Sequence, residues 1–237
     1  MKIQIASDLH TEFISPKKQE AFCRNLQTDA NAIILAGDIC SHNRLVFILS
    51  IFSSMYEHVI YVNGNHELYG THIDLLRAKK KELPENVHWL DNGTVTINNQ
   101  RFIGCTLWFP YHPLNQLYEH GMNDFYSILN FREYVYEENK KSVKYLTENI
   151  QENDIVVTHH LPSKKSVNWK YFDSPLNRFF VCEMDDVIEK TKPKYWINGH
   201  SHCRSDYKIR PARIICNPHG YPNENDNEFD WNKIIEI

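Results

Sequence analysis

Five stretches of this chain share one shape: a run of Ile, Val, Leu or aromatic residues stops abruptly at Asp, Asn, Gly or His. They read KIQIASDLH, AIILAGD, VIYVNGNHE, DIVVTHH and KYWINGHSH. Runs that are apolar on both faces belong to strands covered from both sides. The polar residues then gather at the carboxyl ends of those strands, the edge of an open α/β sheet where ligands sit.

Between the runs lie helix candidates with recognisable starts. Ser15 before Pro16 is an N-cap followed by a favourable first-turn proline, and Ala21, Phe22 and Leu26 recur at helical spacing. Asn43 is placed to cap a helix over 44–55, and Thr71 to cap one over 72–83 that Pro84 stops. Two more helices are expected over 131–149 and 183–191. Further strands fit 87–90, 94–97, 101–108, 207–209, 213–217 and 234–237, with DNG and NNQ as turns. Strands outnumber helices, which predicts an α/β protein with two sheets packed together and helices outside.

At 237 residues with no Gly/Ser, Pro-rich or single-charge linker, the expectation is one domain over 1–237. The segment 109–136 breaks the strand rhythm with aromatics, His and Asn, and reads either as a lid over a site or as packing on the sandwich. A net charge of −4 gives no general attraction to nucleic acid, so a small substrate is the simpler partner. The basic run Arg77 to Lys81 reads as a solvated helix face. The amino terminus lacks the apolar core of a signal peptide, and no apolar run reaches the roughly 20 residues that span a bilayer. Six cysteines without a CxxC pair argue against a disulfide scaffold or structural zinc module and suggest a cytoplasmic protein.

Each polar cluster is weak alone; together the strand ends collect Asp8, His10, Asp38, Asn65, His66, His159, His200 and His202. Mixed nitrogen and oxygen donors suit divalent transition metals such as Mn, Fe, Zn, Ni or Co, and disfavour calcium. Gly37, Gly64 and Gly199 precede these residues where backbone must come close.

The order DLH at 8–10, GD at 37–38, GNHE at 64–67, TH at 158–159 and GHSH at 199–202 resembles the calcineurin-like metallophosphoesterase superfamily. That resemblance implies a four-layer αββα sandwich of two mixed sheets. It implies two metal ions, one held by Asp8, His10 and His202, the other by Asn65, His159 and His200, with Asp38 bridging. It also implies hydrolysis of a phosphomonoester or phosphodiester by a metal-bridging hydroxide, with His66 protonating the leaving group or stabilising the phosphoryl group. His160 is expected to face substrate or solvent, and Arg44 and Arg204 are candidates for a bidentate phosphate contact. The substrate expected is a small phosphorylated molecule, a nucleotide among the candidates.

Two rivals stand beside the hydrolase: a non-catalytic metal-binding scaffold with the same fold, and a nuclease of the same superfamily. The nuclease needs a stacking platform, for which Trp108, Phe109, Tyr111, Phe125 and Tyr126 are the candidates.

Overall fold

The computed structural model describes residues 1–224 and 228–237. Its first sheet has five strands in the order β11-β1-β2-β3-β4, formed by Ile234–Glu236, Lys2–Ala6, Ala32–Ala36, His58–Val62 and Val87–Trp89. The second has six, in the order β5-β6-β7-β8-β10-β9, formed by Gly93–Ile97, Gln100–Cys105, Ile155–Thr158, Tyr195–Asn198, Ala212–Cys216 and Ser205–Ile209. Both are mixed. Strands β1 to β4 run parallel and β11 antiparallel; β6, β7, β8 and β10 run parallel, with β5 and β9 antiparallel at the edges.

The period-two pattern of buried strands builds the layers. Ile3, Ile5, Ile34, Ile60 and Val62 of the first sheet meet Phe102, Val157, Ile197 and Ile215 of the second in one apolar core. The alternate residues face outward to helices. Ile33, Leu35, Val59 and Tyr61 pack with Cys23 of α1 (Pro16–Arg24) and with Leu45, Ile48, Leu49 and Phe52 of α2 (Leu45–Met55). On the other side Ile103, Val156, Trp196 and Ile214 meet α6 (Phe131–Asn149) through Leu146 and α7 (Asp185–Thr191) through Ile188. The result is the expected αββα sandwich. Three short helices, α3 (Ile73–Arg77), α4 (Asn115–Tyr118) and α5 (Asp124–Ser127), lie in the connections.

Several boundaries differ from the sequence reading. The helix expected over 44–55 starts at Leu45 after a 3-10 turn at His42–Arg44, and Asn43 accepts a hydrogen bond from Ser41 instead of capping. The helix expected over 72–83 is divided into α3 and a 3-10 turn at Ala78–Glu82, and the side chain of His72, not Thr71, caps it by accepting from Asp74 N. Arg77 is not a solvated residue: it bridges Asp91 at 2.6 Å and Glu138 at 2.5 Å. Strand β6 stops at Cys105, because Leu107 and Trp108 take positive φ of 74° and 51° that no strand accommodates.

Segment 109–136 packs on the core. Phe109, Phe125 and Phe131 are buried, with Phe179 5.1 Å from Phe109 and 5.5 Å from Phe125 between ring centroids. No helix among the described residues is long and apolar enough to cross a membrane.

Candidate metal centre

All eight strand-end residues follow parallel strands: Asp8 and His10 after β1, Asp38 after β2, Asn65 and His66 after β3, His159 after β7, His200 and His202 after β8. The carboxyl ends of both sheets thus open onto one place. Backbone hydrogen bonds stitch the loops together, Asp8 N to Gly37 O at 2.9 Å, His10 N to Asp38 O at 3.0 Å and Gly199 N to His159 O at 3.0 Å.

Among the described residues three groups of side chains bring their ligating atoms within 4.8 Å of one another: His10, Glu12 and His66, and two that contain Asp38, namely Asp8, His10, Asp38 and His202 in one and Asp38, His159 and His200 in the other. Asn65 joins the last group, its Oδ1 lying 3.0 Å from His159 Nε2. Of the two adjacent histidines, His159 is the one that reaches Asp38, Nε2 to Oδ2 at 3.4 Å.

The imidazoles are held from behind. His159 Nδ1 donates to Ala36 O at 2.9 Å, His10 Nδ1 to Glu12 Oε1 at 3.0 Å and His202 Nδ1 to Glu224 Oε2 at 2.8 Å. A donor fixed on Nδ1 leaves the Nε2 lone pair directed inward, the arrangement that metal-ligating histidines use. His10 Nε2 and His202 Nε2 face each other at 3.0 Å, and His200 Nε2 is buried with no partner among the described residues. Buried nitrogen acceptors gathered round shared carboxylates fit a divalent transition cation by donor chemistry and by the cost of leaving them unpaired.

The backbone is strained where these residues stand. Asp8, His10, Asp38, His200 and His202 all have positive φ, between 45° and 69°. Non-glycine residues in that region cost roughly 1–3 kcal/mol each and persist where the surrounding structure over-determines them, commonly at functional sites. Two glycines make the crowding possible. Gly37 has φ of 88°. At Gly64 an added Cβ would stand 2.1 Å from Asp38 Oδ1 and 2.7 Å from His159 Cε1.

Burial opposes the charge on Asp38, but His159, His66 and His10 around it hold its carboxyl well below the usual range. Burial likewise works against protonated His159, which Asp38 overcomes, raising it to about 10, and a cation at Nε2 would displace that proton. His200 and His160 are driven well below the ordinary histidine value, by burial first and then by neighbouring imidazoles. Glu67 is pushed up by burial and by Asp38. Its two oxygens accept Gly64 N, Asp38 N and Ile39 N at 2.8, 3.1 and 2.7 Å, tying the β2 and β3 loops together.

His66 stands beside both clusters. Its Nδ1 meets Glu12 Oε1 at 2.9 Å, its Nε2 meets the Tyr221 hydroxyl at 2.9 Å, and its ring stacks on Tyr69 at 4.2 Å. Burial disfavours its charge, yet Asp38 and the Glu12 hydrogen bond raise it to about 9. A cavity of about 360 Å³ opens in front, lined by Asp38, Asn65, His66, His200 and His202 on its polar side.

Three expected substrate contacts are placed elsewhere. Arg44 donates to Gln19 at 3.1 Å and lies 4.1 Å over the Phe47 ring. Arg204 pairs with Asp230 at 3.5 Å, and neither arginine lines the cavity. His160 is fully buried, its Nδ1 on Thr106 O at 3.2 Å and its ring 4.3 Å from that of His200, so it faces neither substrate nor solvent. The stacking platform is also corrected: Trp108, Phe109 and Phe125 are buried in the core, leaving only Tyr111 and Tyr126 exposed.

The sequence reading missed the carboxylates and the tyrosine that orient the cluster. Glu12, Glu224 and Tyr221 hold His10, His202 and His66, and Asp124 accepts from Asn65 Nδ2 at 2.9 Å and from the Tyr69 hydroxyl at 2.8 Å. Only Glu67 carried a signal, as the last letter of GNHE.

A four-layer sandwich with a His/Asp cluster at the joined carboxyl ends of its sheets defines a metallophosphoesterase fold. The sequence model described as calcineurin-like phosphoesterase matches residues 1–204, and the chain belongs to that family. It is 24% identical over 271 residues to an uncharacterized protein, L509, of Acanthamoeba polyphaga mimivirus, covering 99% of this chain and 96% of that one. Its fold is similar to the crystal structure of phosphopantetheinyl hydrolase from Mycobacterium tuberculosis, with TM-score 0.77 and 16% identity over 100% of this chain and 95% of the other. It is also similar to a dimetal phosphatase from Danio rerio, with TM-score 0.53 and 10% identity over 91% and 86%.

Proposed function

We propose that the protein hydrolyses a phosphomonoester or phosphodiester with two divalent transition-metal ions, one held by Asp8, His10 and His202, the other by Asn65, His159 and His200, and Asp38 shared. The observation that carries this reading is that Asp38 belongs to both ligand clusters, since a carboxylate has two oxygens to offer different ions. Mn, Fe, Zn, Ni and Co all suit the donors. Such a pair supplies positive charge at the phosphoryl oxygens and acidifies a nearby water.

The chain's own residues supply orientation and a proton. Asn65 is neutral, so the centre keeps net positive charge for an anionic ester. Glu12, Glu224 and the Ala36 carbonyl hold His10, His202 and His159 in the tautomer that offers Nε2. His66 stands outside the proposed ligand set and lines the cavity, with Glu12 Oε1 2.9 Å from its Nδ1 and the Tyr221 hydroxyl 2.9 Å from its Nε2. It serves as the donor to the leaving-group oxygen. The stretch 121–124 of segment 109–136 lines the cavity. The substrate is small and phosphorylated; the six free thiols fit a cytoplasmic setting.

The test is metal content after loading with Mn, Fe, Ni or Zn in turn, together with hydrolysis of a chromogenic phosphoester and a panel of natural ones. A pantetheine phosphoester belongs in that panel because of the phosphopantetheinyl hydrolase with a similar fold. Two ions per chain with turnover are expected. Two ions with no turnover on any ester would leave the scaffold reading instead.

A further inference from the structure

The proposed hydrolase reading leaves open what the phosphate is attached to, and the apolar part of the cavity lining addresses that. Beside the metal-facing side chains the lining includes Leu161, Val167, Leu176 and Phe180, the Phe180 ring standing 4.4 Å from that of His200. Among the described residues that line the cavity there is no Lys and no Arg, and the segment 225–227, Asn-Asp-Asn, contains none either. The carboxylates of Asp124 and Glu224 do line it. A cavity that binds a second phosphate ordinarily meets it with Arg, Lys or a nest of backbone N–H groups. Here a second phosphate would meet two carboxylates and an apolar wall.

Asp124 adds an independent observation. It is 1% exposed, and its Oδ1 is taken up by Asn65 and Tyr69, but its Oδ2 is buried with no partner among the described residues. A buried unpaired carboxylate oxygen beside a cavity is costly unless a donor meets it.

We propose that the substrate carries a single phosphate, esterified to an uncharged, partly apolar group whose hydroxyl or amide N–H reaches Asp124 Oδ2, and that molecules with a second phosphate are rejected. This rests on the hydrolase reading above. It places the enzyme against simple monoesters or diesters and away from nucleoside di- and triphosphates.

The experiment compares matched pairs on the metal-loaded protein: a hydroxyalkyl phosphate against the same alcohol's diphosphate, and a nucleoside monophosphate against its diphosphate. Calorimetric titration of the same pairs onto His66→Ala gives binding without relying on turnover. The single-phosphate member is expected to lead by at least about tenfold in kcat/KM and in affinity, because like charge excludes the other. Leu176→Lys, which adds a cation to the wall, should narrow that gap, and Asp124→Asn should narrow it too. Equal or better handling of the diphosphates, or a gap unchanged in both variants, overturns this inference alone. No turnover of any member overturns the hydrolase reading, and this inference with it.

Discussion

Asn65 and Asp124 stand 59 residues apart in sequence, and a 2.9 Å hydrogen bond from Asn65 Nδ2 to Asp124 Oδ1 decides which end of the amide faces the site. With the NH2 group turned to Asp124, the carbonyl oxygen points at His159 Nε2, 3.0 Å away. Asn65 is thereby presented as an oxygen donor, which is the only form in which it can hold a cation.

The first prediction follows from that bond. Asp124→Ala frees the amide to rotate, and removing such an orienting partner typically lowers metal affinity about 10- to 100-fold. Metal titration should show one ion retained and the other weakened. If both ions bind as tightly as in the unaltered protein, Asp124 does not orient Asn65 for metal.

His66→Ala removes an imidazole that belongs to neither Asp38 cluster. Metal content should stay at the unaltered level, while turnover of an alkyl phosphate falls by about 10²- to 10⁴-fold, the usual size of a lost general acid. An aryl phosphate with a good leaving group should suffer less. Unchanged turnover on the alkyl ester would sink the proton-donor role.

Gly64→Ala places a Cβ 2.1 Å from Asp38 Oδ1 and 2.7 Å from His159 Cε1 and Nε2, and neither group has room to yield. Overpacking of this kind costs about 1–3 kcal/mol. Melting temperature and metal content should both drop. A variant as stable and as fully loaded as the parent would show that the two loops approach less closely than described.

Asp206 gives a pH-dependent prediction away from the metal centre. Hydrogen bonds from Arg213 and Lys233 outweigh its burial and hold it at about 2. A carboxylate whose folded value is depressed contributes stability that is fully present above its unfolded value near 3.8 and fades as pH falls toward about 2. Because Asp206 is exposed, water screens the pair and the contribution is under about 1 kcal/mol. Asp206→Asn should melt slightly earlier at pH 7, and the difference should shrink between about pH 4 and pH 2. A gap that stays constant across that range rules out the ionic origin.

The parts legible in the sequence were those with a local cause. Strand β2 announces itself as AIILA because both of its faces are buried, and the polar GD that follows marks its carboxyl end without any knowledge of its neighbours. The same holds for Asp8, His10, Asn65, His159, His200 and His202, each just past an apolar run. Helix α6 was readable over its full length, Phe131–Asn149, for the same reason of local periodicity.

Only the tertiary structure decided the rest. Glu12, Asp124, Tyr221 and Glu224 stand in no motif of the sequence, and each acquires its role through a hydrogen bond to a side chain brought near by the fold, as when Tyr221 reaches His66 across 155 residues. Arg44 and Arg204 looked available for phosphate because a side chain's partners are invisible in a sequence; Gln19 and Asp230 took them. The sequence by itself determined which residues stand at the ends of strands, since burial periodicity is a property of the local chain. Which of those ends face each other, and that Asp38 lies between the two groups of donors, was decided by the packing of one sheet on the other.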